Sequence, residues 1–161
     1  MRLTSFTDYT LRSLIYLGMN RDRLATIQDI ADLHKISKNH LVKVIHQLGT
    51  SGLVETVRGR NGGLRLAREP EDINIGAVVR RTEPDFFIAE CFDKASHNCM
   101  FSGSCTLQSK LGEATRAFLA VLDDLTLAQV MPGAGSNLGR AIIEQPILFH
   151  PLPPTKAEPA N

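Results

Sequence analysis

The stretch that decides the fold is residues 37–67, SKNHLVKVIHQLGTSGLVETVRGRNGGLRLA. Its first half carries apolar residues at the spacing of one helix face: Leu41, Val44, Ile45 and Leu48. Its second half has two short apolar runs on either side of RGRNGG at 58–63, whose glycines suit a tight turn between strands. The stretch therefore predicts a helix, with Ser37 at its capping position, followed by a β-hairpin.

Two more helices are predicted before this stretch. Residues 8–20 carry apolar side chains on one side of a helix, and Thr26 with Asp29 has the spacing of a capping box that starts the next helix. Two short helices, a turn, a third helix and a hairpin make the plan of a winged helix-turn-helix. The predicted fold class is mainly α with a small β-hairpin wing.

A long helix is predicted near the end of the chain. Its apolar residues alternate between steps of four and three: Leu107, Leu111, Ala114, Phe118, Val121, Leu125 and Ala128. The sequence offers no second helix to cover this stripe, so a second copy is the simplest partner. We predict a winged helix-turn-helix domain at 1–83, a cysteine-rich loop at 84–106, a dimerisation helix at 107–131 and a Pro-rich tail at 132–161.

The charge of the chain is concentrated in one region. The formal net charge is only +1, but residues 34–68 hold seven Lys or Arg and a single acid, Glu55. Such a local excess favours a nucleic-acid partner. The start of the sequence lacks a secretory pattern, and the apolar stretch 11–17 is far too short to span a bilayer. We therefore expect a cytoplasmic protein with no membrane partner.

Polar residues of the third helix and of the hairpin are candidates for DNA contact. On the helix they are Ser37, Lys38, Asn39, His40 and Lys43. On the hairpin they are Arg58, Arg60, Asn61 and Arg65. Residues near the amino end of such a helix contact base edges in the major groove, and Lys43 is equally suited to phosphate. Arg58 and Arg60 suit a minor groove with help from Asn61, whereas Arg65 suits a phosphate. The alternative is that all of them are solvated surface groups.

Three cysteines, Cys91, Cys99 and Cys105, lie within fifteen residues of each other, and the chain has no others. One alternative is that they are small buried residues, although their loop is polar. A second is a zinc site completed by His97, although the short Cys-x2-Cys spacing of zinc knuckles is absent. A third is an iron–sulfur cluster, which tolerates wider spacings.

Two other classes of function are open at this point. An enzyme is not favoured, because the sequence shows no Cys-x-x-Cys, no nucleotide-binding glycine pattern and no paired catalytic carboxylates. A DNA-binding protein without a sensor would have the same helices and hairpin. Colour separates it from a sensor, because only the sensor would show an iron–sulfur band in an anaerobic ultraviolet–visible spectrum.

Three parts of the sequence together resemble the Rrf-type family of winged-helix transcriptional regulators. They are MRLTSFTDYTLR at 1–12, RGRNGGLRL at 58–66, and the three-cysteine loop before a long helix. The resemblance covers residues 1–131. It implies a homodimer that binds double-stranded operator DNA and whose long helices cross between subunits.

Within this family, the chain is most similar to a nitric-oxide-sensing repressor. That likeness implies a [4Fe–4S] cluster held by Cys91, Cys99, Cys105 and, from the other subunit, Asp8, with Arg12 placed to orient the carboxylate. It further implies that nitric oxide damages the cluster, releases the operator and derepresses nitrosative-stress genes. The competing type regulates iron–sulfur biogenesis with a [2Fe–2S] cluster and has a histidine where this chain has Gln108.

Overall fold

The computed structural model describes residues 2–93, 95, 99–101 and 104–132. Residues 133–161 of the predicted tail and His97 of the zinc alternative lie outside these. The elements are α1 Ser5–Met19, α2 Ile27–His34, α3 Lys38–Thr50, β1 Val54–Val57, β2 Gly63–Leu66, α4 Ile75–Thr82, α5 Thr106–Asp123 and α6 Leu127–Val130, with 3-10 turns at Pro70–Asp72 and Glu90–Phe92. All belong to one unit, residues 1–131. The predicted class, mainly α with a hairpin wing, is confirmed.

Helix α1 begins three residues earlier than the apolar pattern predicts. Thr4 caps it by accepting the backbone N–H of Thr7 at 3.3 Å. Thr7 and Thr10 are buried on the packed face, where Thr7 donates to the Thr82 hydroxyl at 2.9 Å and Thr10 to the Phe6 carbonyl at 2.8 Å. Because the first buried residues are hydroxyl side chains, hydrophobic periodicity alone misses this turn, and Asp8 lies inside the helix rather than at its start.

Helices α2 and α3 form the predicted helix-turn-helix. The capping box is present: the Thr26 N–H donates to the Asp29 carboxylate at 2.8 Å, and the Asp29 N–H donates to the Thr26 hydroxyl at 3.1 Å. Helix α3 buries the four predicted apolar residues. Ser37 does occupy the position before α3, but its side chain makes no capping hydrogen bond, so the predicted capping contact is wrong.

Strands β1 and β2 form the predicted hairpin, with Val54 opposite Leu66 and Val57 opposite Gly63. A third segment joins it, because Ala25 and Leu64 exchange two backbone hydrogen bonds of 3.0 and 2.7 Å. A side chain at Gly63 would lie 2.6 Å from the Ala25 carbonyl oxygen, so this close approach requires glycine. The wing is therefore fixed to the turn between α1 and α2.

The last helical region differs from the continuous helix predicted over 107–131. Helix α5 ends at Asp123, and a capping box of Thr126 and Gln129 starts the separate α6. Leu127 is fully buried in the core of the winged helix-turn-helix, and its N–H donates to the Ile73 carbonyl at 2.8 Å. The alternating spacing of apolar residues does not show which of them pack into the core of their own chain. The pattern therefore overestimates the length of the helix.

The end of α5 is held tightly against α4. A side chain at Gly76 would come within 2.8 Å of the Asp123 backbone nitrogen, and Arg80 pairs with the Asp123 carboxylate. By contrast, two residues of the apolar stripe, one in each end turn of α5, are exposed: Leu107 at 66% and Val121 at 63%. Among the described residues, no helix is long and apolar enough to cross a membrane.

Candidate functional site

The outer face of α3 carries the predicted DNA-contacting residues. Lys38, Asn39 and Lys43 are exposed on the side away from the buried Leu41 and Val44. Such a face at the amino end of a recognition helix is free to enter a major groove. The structure thus places three of the predicted contacts together.

His40 differs from its neighbours on α3 because it packs against α1. Its ring stacks on Tyr9, with centroids 6.2 Å apart and planes 26° apart. Gln47 likewise faces the protein, since its side-chain amide donates to the Arg81 carbonyl at 3.3 Å. The stacking of His40 therefore links the amino end of α3 to Tyr9, the residue that follows Asp8 on α1.

The wing presents Arg58, Arg60 and Asn61 at an exposed tip. Gly59 there has φ of +117°, which lets the backbone turn sharply between the two arginines. Arg65 lies on the strand and forms an ion pair with Glu55 at 2.9 Å. Among the ion pairs of the described residues, none includes Arg58 or Arg60, so these two offer more charge to DNA than Arg65 does.

Asp8 and Arg12 form the predicted contact on α1. The Arg12 Nε donates to Asp8 Oδ1 at 3.0 Å, and both side chains are partly exposed. They line a groove of about 480 Å³ together with Tyr9 and His34. The Asp8 carboxylate is therefore accessible from outside its own chain, and its one ion pair among the described residues is with Arg12.

His34 is a polar group of this groove that sequence reasoning missed. Its Nε2 is buried and has no hydrogen-bond partner among the described residues. Burial lowers the pKa of His34, the Arg12 guanidinium lowers it further, and the Asp8 carboxylate opposes them. The ring therefore favours its neutral form beside the Asp8–Arg12 pair.

The cysteine loop is closed at its base by Gln108. Cys105 caps α5, where its sulfur accepts the Gln108 N–H at 3.4 Å, and the Gln108 side-chain amide donates to the Cys91 carbonyl at 2.7 Å. In the sequence, Gln108 is notable only because it stands where a related type of regulator has a histidine ligand. In the structure, its two hydrogen bonds link Cys91 to Cys105. Cys91 and Cys105 are half-buried, and Cys99 is exposed.

The donor chemistry of the loop suits an iron–sulfur cluster. All three cysteines are free thiols, and the sulfur of Cys105 lies at a helix amino terminus, which attracts negative charge. Within the described residues, no group of three His, Cys, Asp or Glu side chains is close enough to hold a metal ion. Cys91, Cys99 and Cys105 are therefore not gathered into one site in this structure, so a cluster held by three thiolates and a carboxylate would require the loop to bring them together as well as a carboxylate from a second copy.

One family model matches most of the chain. The Rrf2 family model, described as "Iron-dependent Transcriptional regulator", matches residues 3–133. The chain belongs to the Rrf2 family. Curated Rrf2-type relatives include the HTH-type transcriptional regulator NsrR of Bacillus subtilis (strain 168), which is 54% identical over 81% of this chain and 90% of the relative. The NsrR of Oceanobacillus iheyensis is 46% identical over 90% of this chain and 99% of the relative.

Solved structures agree with this Rrf2 assignment. T. potens IscR is 26% identical, covers 80% of this chain and 84% of its own, and superposes with a TM-score of 0.63. CymR, the global cysteine regulator of B. subtilis, is 24% identical, covers 80% and 94%, and has a TM-score of 0.64. The second likeness supports the fold alone.

Proposed function

We propose that this Rrf2 chain forms a homodimeric transcriptional repressor that carries an iron–sulfur cluster and releases operator DNA in response to nitric oxide. Genes for nitrosative stress would then be derepressed. The observation that carries the proposal is the position of Asp8: it is followed by Tyr9, which stacks on His40 at the amino end of the recognition helix. Relatives named NsrR, with 46–54% identity in the two described above, support the same function.

The DNA-contacting residues divide by position. Ser37, Lys38, Asn39 and His40 are at the amino end of α3, with Lys43 one turn further, and Arg58, Arg60 and Asn61 are at the wing tip. We assign α3 to base edges in the major groove and the wing tip to the neighbouring minor groove. Arg65, already paired with Glu55, is assigned a weaker phosphate contact.

The cluster would be held by Cys91, Cys99 and Cys105 of one subunit and by Asp8 of the partner subunit. Arg12 orients the Asp8 carboxylate, and Gln108 fixes the spacing between Cys91 and Cys105. When bound, a [4Fe–4S] cluster supplies iron that reacts with nitric oxide, and a carboxylate is a weaker ligand for such iron than a thiolate.

The signal reaches DNA through the chain's own contacts. While the Asp8 carboxylate binds the cluster in the partner's loop, it would hold α1 in one position. After release, its remaining contact would be the ion pair with Arg12. Because Tyr9 stacks on His40, a shift of α1 moves the amino end of α3 relative to the groove. Helix α1 would thus have two positions, and release of the Asp8 carboxylate from the cluster would shift the equilibrium between them.

The dimer would form through the open part of the α5 stripe, including Leu107 and Val121. Two copies then present two α3 helices to DNA. A two-fold arrangement places half-sites roughly 34 Å apart, one turn of the double helix. The operator should accordingly be a partial palindrome.

The test uses protein purified without oxygen and a DNA site selected from random sequences by that protein. Nitric oxide is titrated while fluorescence anisotropy reports DNA binding and absorbance reports the cluster. We expect affinity and cluster absorbance to fall together, with the protein remaining folded by circular dichroism. Unchanged DNA affinity after the absorbance has gone would overturn the proposed switch.

A second candidate is a redox- or iron-responsive regulator of the same family with a [2Fe–2S] cluster. It is favoured by the description of the family as iron-dependent and by the likeness to IscR. Against it, Gln108 stands at the position of the expected histidine, and its amide is engaged with Cys91. Iron and sulfide counts separate the two: four of each per subunit support the first candidate, and two of each support the second.

A further inference from the structure

Every residue of α3 is described, and Val42 is the one exposed residue on its outer face with an apolar side chain. The other exposed positions of α3 are polar or glycine: Lys38, Asn39, His40, Lys43, His46, Gly49 and Thr50. Val42 is 47% exposed, although the buried face of the helix is complete without it. It belongs neither to the core nor to the half-buried residues that pack around the core.

A valine at this position has no benefit for the isolated chain. β-Branched side chains lose rotamer freedom in a helix, and an exposed one gains little from burial. Single exposed apolar residues are common on protein surfaces, so exposure alone has no meaning. The position gives it meaning, because Val42 lies one turn after Lys38 and Asn39 and one turn before His46, in the centre of the surface assigned to the major groove.

The major groove displays one apolar group, the C5-methyl of thymine. A short branched side chain among polar neighbours is suited to contact that methyl and to exclude water from it. Asn39, one turn earlier on the same surface, has the amide that pairs with adenine edges. The two residues together are suited to an A·T-rich step.

We infer that Val42 is a specificity-determining residue that contacts a thymine methyl group in each operator half-site. The inference rests on the proposed function, because it needs α3 in the major groove. It does not depend on the type of cluster or on the signal. It adds a direct base contact to the polar and basic residues that the sequence pattern indicates.

The experiment replaces each thymine of a selected operator by deoxyuridine, symmetrically in both half-sites, and measures affinity by fluorescence anisotropy. Deoxyuridine lacks only the methyl group and keeps the base pair. For the unmodified protein we expect one symmetric position at which affinity falls about fourfold per half-site, on the order of the effect of burying one methyl-sized group. For the whole palindrome this amounts to roughly fifteenfold.

The variant Val42→Ala should lose about the same affinity on the natural operator and become insensitive to deoxyuridine at that position. Leu33→Ala is the matched control, since Leu33 is also an exposed aliphatic residue, 61% exposed, but lies on α2. It should keep the full methyl dependence. Because alanine favours helices, Val42→Ala should melt at or above the temperature of the unmodified protein.

Each outcome decides between distinct claims. DNA binding with no thymine position sensitive to the methyl overturns the Val42 contact and leaves the proposed function intact. Equal methyl sensitivity in Val42→Ala and the unmodified protein also overturns the contact, and it assigns the methyl to another residue. Failure of the cluster-loaded protein to select any DNA overturns the proposed function and the contact together.

Discussion

Two regions of the chain, named for their proposed roles, differ in where their described side chains find partners: the DNA-reading head (residues 5–82) and the sensor segment (residues 91–123). In the reading head, every helix buries apolar residues within its own chain, among them Leu14, Ile30, Leu41 and Val79. In the sensor segment, α5 buries only Thr115. The difference teaches that the reading head is complete in one chain, whereas the sensor segment has the form of a part that a second copy and a ligand would complete.

The largest effect is expected for Cys99→Ala, which should abolish cluster binding and leave the fold intact. Cys99 is exposed, so no packing is lost when its sulfur is removed. Anaerobic absorbance with iron analysis measures the loss, and thermal melting of the metal-free protein measures the fold. Ser104→Ala, an exposed position of the same loop, is the control and should stay coloured. A coloured Cys99→Ala protein would remove Cys99 from the ligand set.

Leu127→Ala should lower the free energy of unfolding by about 2–5 kcal/mol, because Leu127 is fully buried where the chain returns to the reading head. Urea unfolding at a fixed protein concentration measures it. The exposed Leu33 provides the same substitution without a cavity, and Leu33→Ala should stay within about 0.5 kcal/mol. Equal costs for the two variants would contradict the burial of Leu127 in the core.

Val121→Glu should weaken the dimer by roughly 10–100-fold, because it puts an unpaired charge into the apolar stripe between subunits. Sedimentation velocity across a dilution series measures the dissociation constant. Ala120→Glu is the matched control on the next, also exposed, residue of α5 and should leave the dimer unchanged. If both variants remain equally dimeric, the stripe does not form the subunit contact.

The smallest effect is expected for Asp29→Asn, at roughly 0.3–1 kcal/mol near neutral pH. The Thr26 backbone N–H, and secondarily Arg23, hold the pKa of Asp29 below its ordinary value. The folded chain therefore binds this proton less tightly than the unfolded chain, and the stabilisation is present above the ordinary aspartate pKa of 3.8. It is lost as the pH falls through the lower folded value.

Urea unfolding from pH 7 down to pH 3 measures this effect. The deficit of Asp29→Asn relative to the unmodified protein should shrink toward the acid end of the series. Asp32→Asn, on the same helix and without a capping contact, is the control for the loss of one carboxylate from α2. A deficit that is constant with pH would show that the capping carboxylate is not the cause. Because both residues lie in the reading head, the effect should be independent of cluster loading.

Much of the reading head can be predicted from the sequence because local signals and packing agree there. Leu41, Val44, Ile45 and Leu48 give the recognition helix, and the Thr26–Asp29 spacing gives the start of α2. The first turn of α1 could not be predicted from apolar periodicity. Its buried residues are hydroxyl side chains, and their partners, such as Thr82, are distant in sequence.

The proposed cluster site and its surroundings were predictable only in part. The Asp8–Arg12 contact follows from the spacing of one helical turn, but the choice of Asp8 as a ligand came from family resemblance. The end of α5 depends on the approach of Asp123 to Gly76, which no local pattern records. The positioning role of Gln108 requires Cys91 and Cys105 to be near each other, and sequence spacing does not provide that.

The central claim is that one cluster site takes its cysteines from one subunit and its aspartate from the other. The most direct test is a heterodimer of an Asp8→Ala subunit and a subunit with Cys91→Ser, Cys99→Ser and Cys105→Ser, purified by two different tags. The account predicts one complete site per dimer, with the visible circular dichroism of the unmodified protein at half amplitude. A spectrum with the shape of that of the Asp8→Ala homodimer, at half its amplitude, would contradict a shared site.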